Sequence, residues 1–194
     1  MYFCGFGGNF CGQSSIDDVN SKSTTVILAF ANILTNGSIE VDDANYPRTI
    51  AQNWKNSGKK VLLSIGGQNV DWNVAYTTPQ NTINFINSIN DAIQKYDLDG
   101  IDLDIESYGV SPRSVANMII SLKSKIGTKL LVLTIENVGV YQGVSVPSPD
   151  TIGQAWNYYV SVIRLADSSI DLYQVMAYNN WYGSLPGGSV AYLK

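Results

Sequence analysis

Four acids stand within the eight residues Asp99-Gly100-Ile101-Asp102-Leu103-Asp104-Ile105-Glu106. Side chains alternate across a strand, so Asp102, Asp104 and Glu106 share one face and Ile101, Leu103 and Ile105 the other. Asp99 has the opposite parity and points away, towards a structural role near Gly100. Alternate strand residues lie about 6.6 Å apart, and two ionised carboxylates at that spacing repel by about 2.5 kcal/mol at an effective dielectric of 20. In a partly buried cleft such a row retains protons, and at least one pKa rises. A carboxylic acid still protonated near neutrality is what general acid catalysis on a sugar leaving group requires. Glu106, furthest along the strand, is the candidate. Two other readings remain open for these residues alone: a half-solvated edge strand, and an oxygen-ligand site for Mg²⁺ or Ca²⁺.

The rest of the composition narrows the choice. The chain has 194 residues, no histidine, 12 basic and 16 acidic side chains and a net charge of −4. Without histidine, Ser-His-Asp and Cys-His triads and histidine-ligated zinc are excluded. The acidic balance gives no footprint for a nucleic acid partner. No apolar run approaches a membrane span. Cys4 and Cys11 are too few for a disulfide framework, and either a local bridge or two buried thiols fits them. No leader-like segment precedes the first strand. Asn36-Gly37-Ser38 has the form of an N-glycosylation triplet.

Elements that could position the acidic row recur along the chain. Strand-like runs are expected at Tyr2–Phe6, Thr25–Ala31, Lys60–Ile65, Gly100–Ile105, Leu130–Ile135 and Leu172–Ala177. Helices between them have readable ends: Pro47 to Gly58, a start at Thr78-Pro79, and Ser111-Pro112 to Gly127. Their inward faces carry Ile86, Ile89, Ile93 and Tyr96, then Val115, Ile119, Leu122 and Ile126. A further helix is expected around Trp156, Tyr159, Val160 and Ile163, whereas Ser14 to Ser23 is too short and polar for one. Trp54 and Trp156 fall on helix core faces. The alternation predicts an α/β fold with a parallel sheet, open or closed as a barrel.

The residues also carry a resemblance. DGIDLDIE is similar to the DGxDxDxE signature of family 18 glycoside hydrolases, the chitinase family. Ser64-Ile65-Gly66-Gly67 resembles that family's SxGG motif, and Gln174-Val175-Met176-Ala177-Tyr178-Asn179 its sixth-strand motif. The resemblance implies a (β/α) TIM-type barrel with about six of eight units present, residues 1–194 forming one catalytic domain truncated at its C-terminus relative to a full barrel. It implies Glu106 as acid and later base, Asp104 as holder of the substrate's N-acetyl nitrogen, Asp102 as hydrogen-bonding partner of Asp104, and Tyr178 as donor to the acetamide oxygen. The intermediate would be an oxazolinium ion, with no enzyme nucleophile, cofactor or metal. Gln174, Met176 and Asn179 would line the sugar site; many relatives carry Asp where Asn179 stands. Ser64, Gly66, Gly67 and Asp99 would support the acids from behind. Trp72, Trp181 and Tyr182 follow strand ends, where flat rings can stack on sugar faces. The implied activity is retaining cleavage of β-1,4-linked N-acetylglucosamine polymers, with a non-catalytic sugar-binding relative and an endo-β-N-acetylglucosaminidase acting on N-glycans as the alternatives. The implied partners are chitin or N-acetylglucosamine oligosaccharides, with neither nucleic acid nor membrane. The implied protein is secreted, and monomeric unless the open barrel edge pairs.

Overall fold

The structure, a computed structural model, describes residues 1–3, 19, 21–41, 48–140 and 144–176. Six parallel strands form a curled sheet in the order β1 (Tyr2–Phe3), β2 (Thr25–Ile33), β4 (Lys60–Gly66), β5 (Gly100–Asp104), β6 (Leu130–Glu136) and β7 (Leu172–Met176). A two-residue strand, β3 (Ile39–Glu40), folds back antiparallel on β2. Helices α1 (Arg48–Asn56), α2 (Pro79–Tyr96), α3 (Pro112–Ile126) and α4 (Tyr158–Ala166) fall between the strands. This is the incomplete TIM-type barrel that the motif pattern predicts. Successive parallel strands joined through helices bury their outward side chains against those helices. Val61, Leu63, Ile65, Ile101, Leu103, Ile105, Leu131, Leu133 and Ile135 accordingly join one large core with Phe85, Ile89, Ile93, Val115, Ile119 and Leu122.

The inward face has a different composition. Ile27, Leu62 and Val132 make a small separate cluster there, with Tyr2 and Leu130 against it. Above this apolar floor the inward positions turn polar.

The helix signals act where the sequence places them. Thr78 accepts a hydrogen bond from the Asn81 N–H ahead of Pro79, and Ser111 does the same for Ser114 ahead of Pro112. Each cap satisfies a helix-start N–H that would otherwise lack a partner. Gly127 ends α3 at φ 62°. Trp54 is buried on α1, with its ring edge-on to Phe3 at 4.9 Å.

Two expectations need correction. Trp156 is not on a helix face: it precedes the α4 N-cap residue Asn157 and is half-buried. The hairpin of β2 and β3 was not expected, although Asn36-Gly37 between apolar residues is a hairpin turn signal. Gly37 sits at φ +86° in that turn, and Asn36 Oδ1 accepts from the Ser38 N–H and hydroxyl.

At the N-terminal rim, the residue just before each of β4, β5, β6 and β7 carries a charge that reaches to the preceding strand of the sheet. Lys59 donates to the Ser23 carbonyl at 2.6 Å, and Asp99 accepts from the Val61 N–H at 2.8 Å. Lys129 donates to the Leu98 carbonyl at 2.6 Å, and Asp171 accepts from the Leu131 N–H at 2.7 Å. The sign alternates from β4 to β7, and each group satisfies a main-chain atom at the sheet's start. Asp99 therefore ties two strands together at the end opposite Glu106.

Replacing Asp99 with Ala strands the Val61 N–H and should cost about 1–3 kcal/mol. At roughly 2–4 °C per kcal/mol for a chain of this size, thermal unfolding will resolve the loss. Asp99→Asn keeps an acceptor and should recover most of it; equal melting temperatures for the two variants would refute the assignment.

Candidate active site

Asp102 lies on the inward face of β5 with 0% exposure. Three hydroxyls from three other strands converge on it. Tyr2 and Ser64 approach Oδ2 at 2.8 and 2.6 Å, and Thr134 approaches Oδ1 at 2.7 Å. Tyr2 and Thr134 also touch each other at 2.8 Å. Gln174 of β7 donates its amide to Thr134 at 3.2 Å and to Tyr2 at 3.4 Å. Four oxygen–oxygen contacts need four protons, and the three hydroxyls supply three. A proton on Asp102 completes the ring, and the direction of its pKa agrees: burial raises it, against the lowering effect of the surrounding hydrogen bonds.

One layer higher, Asp104 is 4% exposed, and its Oδ1 is buried without a hydrogen-bond partner among the described residues. Burial, then the charges of Asp102, Glu106 and Glu136, push its carboxyl up to about 8. Its backbone is held tightly. The Asp104 carbonyl accepts from the Gly67 N–H and from the Trp72 indole N–H, each at 3.1 Å. That approach explains the first glycine of the Ser64–Gly67 motif. A Cβ on Gly66 would lie 2.1 Å from the Asp104 carbonyl oxygen, and its φ of +122° suits glycine alone.

Glu106 follows β5 at the C-terminal mouth and is half-buried. Burial raises its pKa, and the Glu136 charge raises it further. Sequence reasoning missed Glu136, the last residue of β6. Its signal was present: Thr134 and Glu136 are the polar positions of Leu130–Glu136, with one parity. Tyr108, also missed, donates its hydroxyl to Glu136 Oε2. Tyr159 of α4 donates to the Ile105 carbonyl, on the peptide that leads into Glu106.

The expected site residues separate into distinct groups. Asp102, Asp104, Glu106, Ser64 and Gln174 come together within the barrel. Gly66 and Gly67 lie directly behind Asp104, and Met176 ends β7 in register with Glu136. Gln174 acts on the hydroxyls around Asp102. Asp99 supports the fold and does not touch the acids. No hydrogen bond joins Asp102 to Asp104 among the described residues; the Asp102 oxygens face hydroxyls instead. Trp72 is no open sugar-stacking wall: it is 1% exposed, with its ring edge-on to Phe85 at 5.7 Å. Its position five residues beyond a glycine pair gave no hint that the chain folds it under Asp104. Tyr178, Asn179, Trp181, Tyr182, Cys4 and Cys11 lie outside the described residues. Among the described residues no group of three or more His, Cys, Asp or Glu is arranged to hold a metal ion.

Comparison with known proteins bears on the family and the fold. The profile of Glycosyl hydrolases family 18 matches residues 1–189. A probable class II chitinase from Arthroderma benhamiae is 31% identical over 198 residues, covering 86% of this chain and 59% of that protein. The crystal structure of a GH18 chitinase from Chromobacterium violaceum superposes with a TM-score of 0.68 at 28% identity, over 85% of this chain and 46% of that one. A mutant class V chitinase from Nicotiana tobaccum, in complex with NAG4, shares the fold with a TM-score of 0.67 at 18% identity, over 91% and 51% of the two chains. The chain thus spans less than two thirds of the length of each of these proteins.

Two outcomes follow from the geometry. A carboxyl raised by the fold contributes stability that is complete below its unfolded pKa near 4 and is lost as pH rises through about 8. Asp104→Asn should therefore leave the melting temperature near pH 4 almost unchanged and raise it at pH 8, by roughly 4–8 °C for about 2 kcal/mol. A lower melting temperature at pH 8 would count against a protonated Asp104. Trp72→Phe keeps the packed ring but removes the indole donor, and should cost about 1 kcal/mol in chemical denaturation.

Proposed function

The chain belongs to Glycosyl hydrolases family 18, and on that premise we propose that it is a chitinase-like glycosidase. We read residues 1–194 as one catalytic domain. It cleaves β-1,4 linkages between N-acetylglucosamine units with retention, the substrate's own acetamide serving as nucleophile. Glu106 gives its proton to the glycosidic oxygen. As the bond from that oxygen to the anomeric carbon breaks, the acetamide oxygen bonds to the same carbon and an oxazolinium ion forms. Water then attacks the anomeric carbon, its bond to the acetamide oxygen breaks to restore the acetamide, and the proton lost by the water returns to Glu106, which restores the acid.

Asp104 serves the acetamide nitrogen. An unpartnered buried oxygen is the place where an incoming amide N–H gains most, because the desolvation cost has already been met. Asp102 lies beneath it and fixes the layer through its hydroxyl ring. Tyr178 is assigned to the acetamide oxygen, with Met176, Asn179 and Trp181 around the sugar. The substrate class is chitin or its oligosaccharides, in keeping with the NAG4 complex of the Nicotiana tobaccum relative. A polymer of that kind places the enzyme outside the cell. No helix among the described residues is long and apolar enough to cross a membrane.

The observation that carries this reading is the vertical order of Asp102, Asp104 and Glu106 along one strand. All three are pushed towards their protonated forms, and no cation is paired with any of them among the described residues. A site built to bind a divalent ion would instead hold its carboxylates ionised.

Hydrolysis of chitin oligosaccharides should fall by about 10²–10⁴ in kcat/KM for Glu106→Gln, with binding retained. Equal turnover by parent and variant would overturn the acid assignment. Binding by both with turnover by neither would favour a sugar-binding protein of the same fold.

A further inference from the structure

Glutamate is scarce in this chain: Glu40, Glu106 and Glu136 are the three it contains. Two of them meet over one cleft. Asp104 pairs with Thr134 across β5 and β6. Glu106 lies two residues beyond the first and Glu136 two beyond the second, so both leave neighbouring strand ends on the inward side.

A cluster of tyrosines fixes both. The Tyr108 hydroxyl donates to Glu136, and the Tyr108 ring stands edge-on to Tyr158 at 5.2 Å and to Tyr159 at 6.2 Å. The Tyr159 hydroxyl holds the Ile105 carbonyl beside Glu106. Gly139, just after β6, lets the Tyr159 ring approach: a Cβ there would lie 2.3 Å from Tyr159 Cδ2. The same rings therefore set the backbone that carries one glutamate and the side chain of the other.

We propose that Glu136 is a positioning residue of this site: anchored by Tyr108, its carboxylate is the like charge that holds the proton on Glu106. Glu136 has no part in the steps described above and acts only through the acid. Among the described residues the titratable groups around the pair are Asp104 from β5, Tyr108 from the segment after it and Tyr159 from α4, with Tyr158 packed on both tyrosines and Asp102 and Tyr2 beneath Asp104. All are acids or phenols. Among the described residues Lys55, Arg113 and Lys123 pair with Asp97, Asp99, Asp150 and Asp171, and no lysine or arginine is among the charges that act on Glu106 or Asp104. The upward shift of Glu106, from burial and then from Glu136, has the matching sign. A general acid has to regain a proton in every cycle, and a fixed like charge beside it favours that recovery without competing for the sugar oxygen.

The inference rests on the acid role proposed for Glu106, yet its test needs no turnover. The full chain labelled with ¹³C at glutamate side-chain carboxyls gives three resonances, two of them assigned by Glu106→Gln and Glu136→Gln. A pH titration of the Glu106 resonance should show its midpoint falling in Glu136→Gln, with a roughly tenfold higher ionised-to-protonated ratio at fixed pH. Glu40 should not move. Tyr108→Phe frees Glu136 to turn away and should shift Glu106 in the same direction by less. An unmoved Glu106 midpoint in Glu136→Gln overturns the proposal; if that variant does not fold, an unmoved midpoint in Tyr108→Phe does so. A shifted midpoint in a chain without turnover would leave the pairing intact and count against the hydrolase reading instead.

Discussion

A carboxyl group with no solvent contact and no cation beside it must either take a proton or be surrounded by donors. Asp102 is pushed towards the first by burial and shows the second in its hydroxyl partners, and much of the barrel's interior follows from that. Tyr2, Ser64, Thr134 and Gln174 come from β1, β4, β6 and β7, so four strands spend an inward position on one side chain of a fifth. Such a ring tolerates little displacement, because each oxygen has a set number of protons to give or accept. The strand register that brings these groups together also stacks Asp104 and Glu106 above it. The chemistry at the mouth is thus specified from below.

The two faces of β5 divide the work between stability and reactivity. Ile101, Leu103 and Ile105 are sealed against the helices and make the strand hard to move. That rigidity lets the opposite face hold groups whose ionisation is costly. Trp72 adds to it by gripping a carbonyl within the acidic row, a role for which a flat apolar ring with one donor is well suited. Sites that depend on shifted pKa values need this support, since a carboxyl free to swing towards water would return to its ordinary value.

Much of this was legible in the sequence because strand alternation is geometric. Parity alone put Asp102, Asp104 and Glu106 together and turned Asp99 away, and the Pro and Gly signals marked the helices to within a residue or two. Contacts between distant strands were not legible. Nothing in the spacing says that Tyr2 reaches Asp102, a hundred residues on, or that Trp72 tucks beneath Asp104 rather than facing a sugar. Glu136 escaped notice because a single acid ending an apolar strand reads locally as the start of a loop. Its meaning comes from β5 lying next to it. The Asp102–Asp104 hydrogen bond was implied by the family resemblance alone; among the described residues, hydroxyls of neighbouring strands occupy the Asp102 oxygens.

The alternating Lys59, Asp99, Lys129 and Asp171 at the N-terminal rim bear on how such a barrel can be assembled. Each of these residues matches an acceptor or a donor on the strand before it, so the repeating element at this rim is two β/α units rather than one. A pair of units carries both signs and can be joined to another pair with every main-chain atom still matched. A single unit inserted or removed within β4 to β7 would bring two lysines or two aspartates to successive strands. Over β4 to β7, the order of charge at this end of the barrel is therefore kept only when units are exchanged in steps of two, independently of what stands at the opposite end.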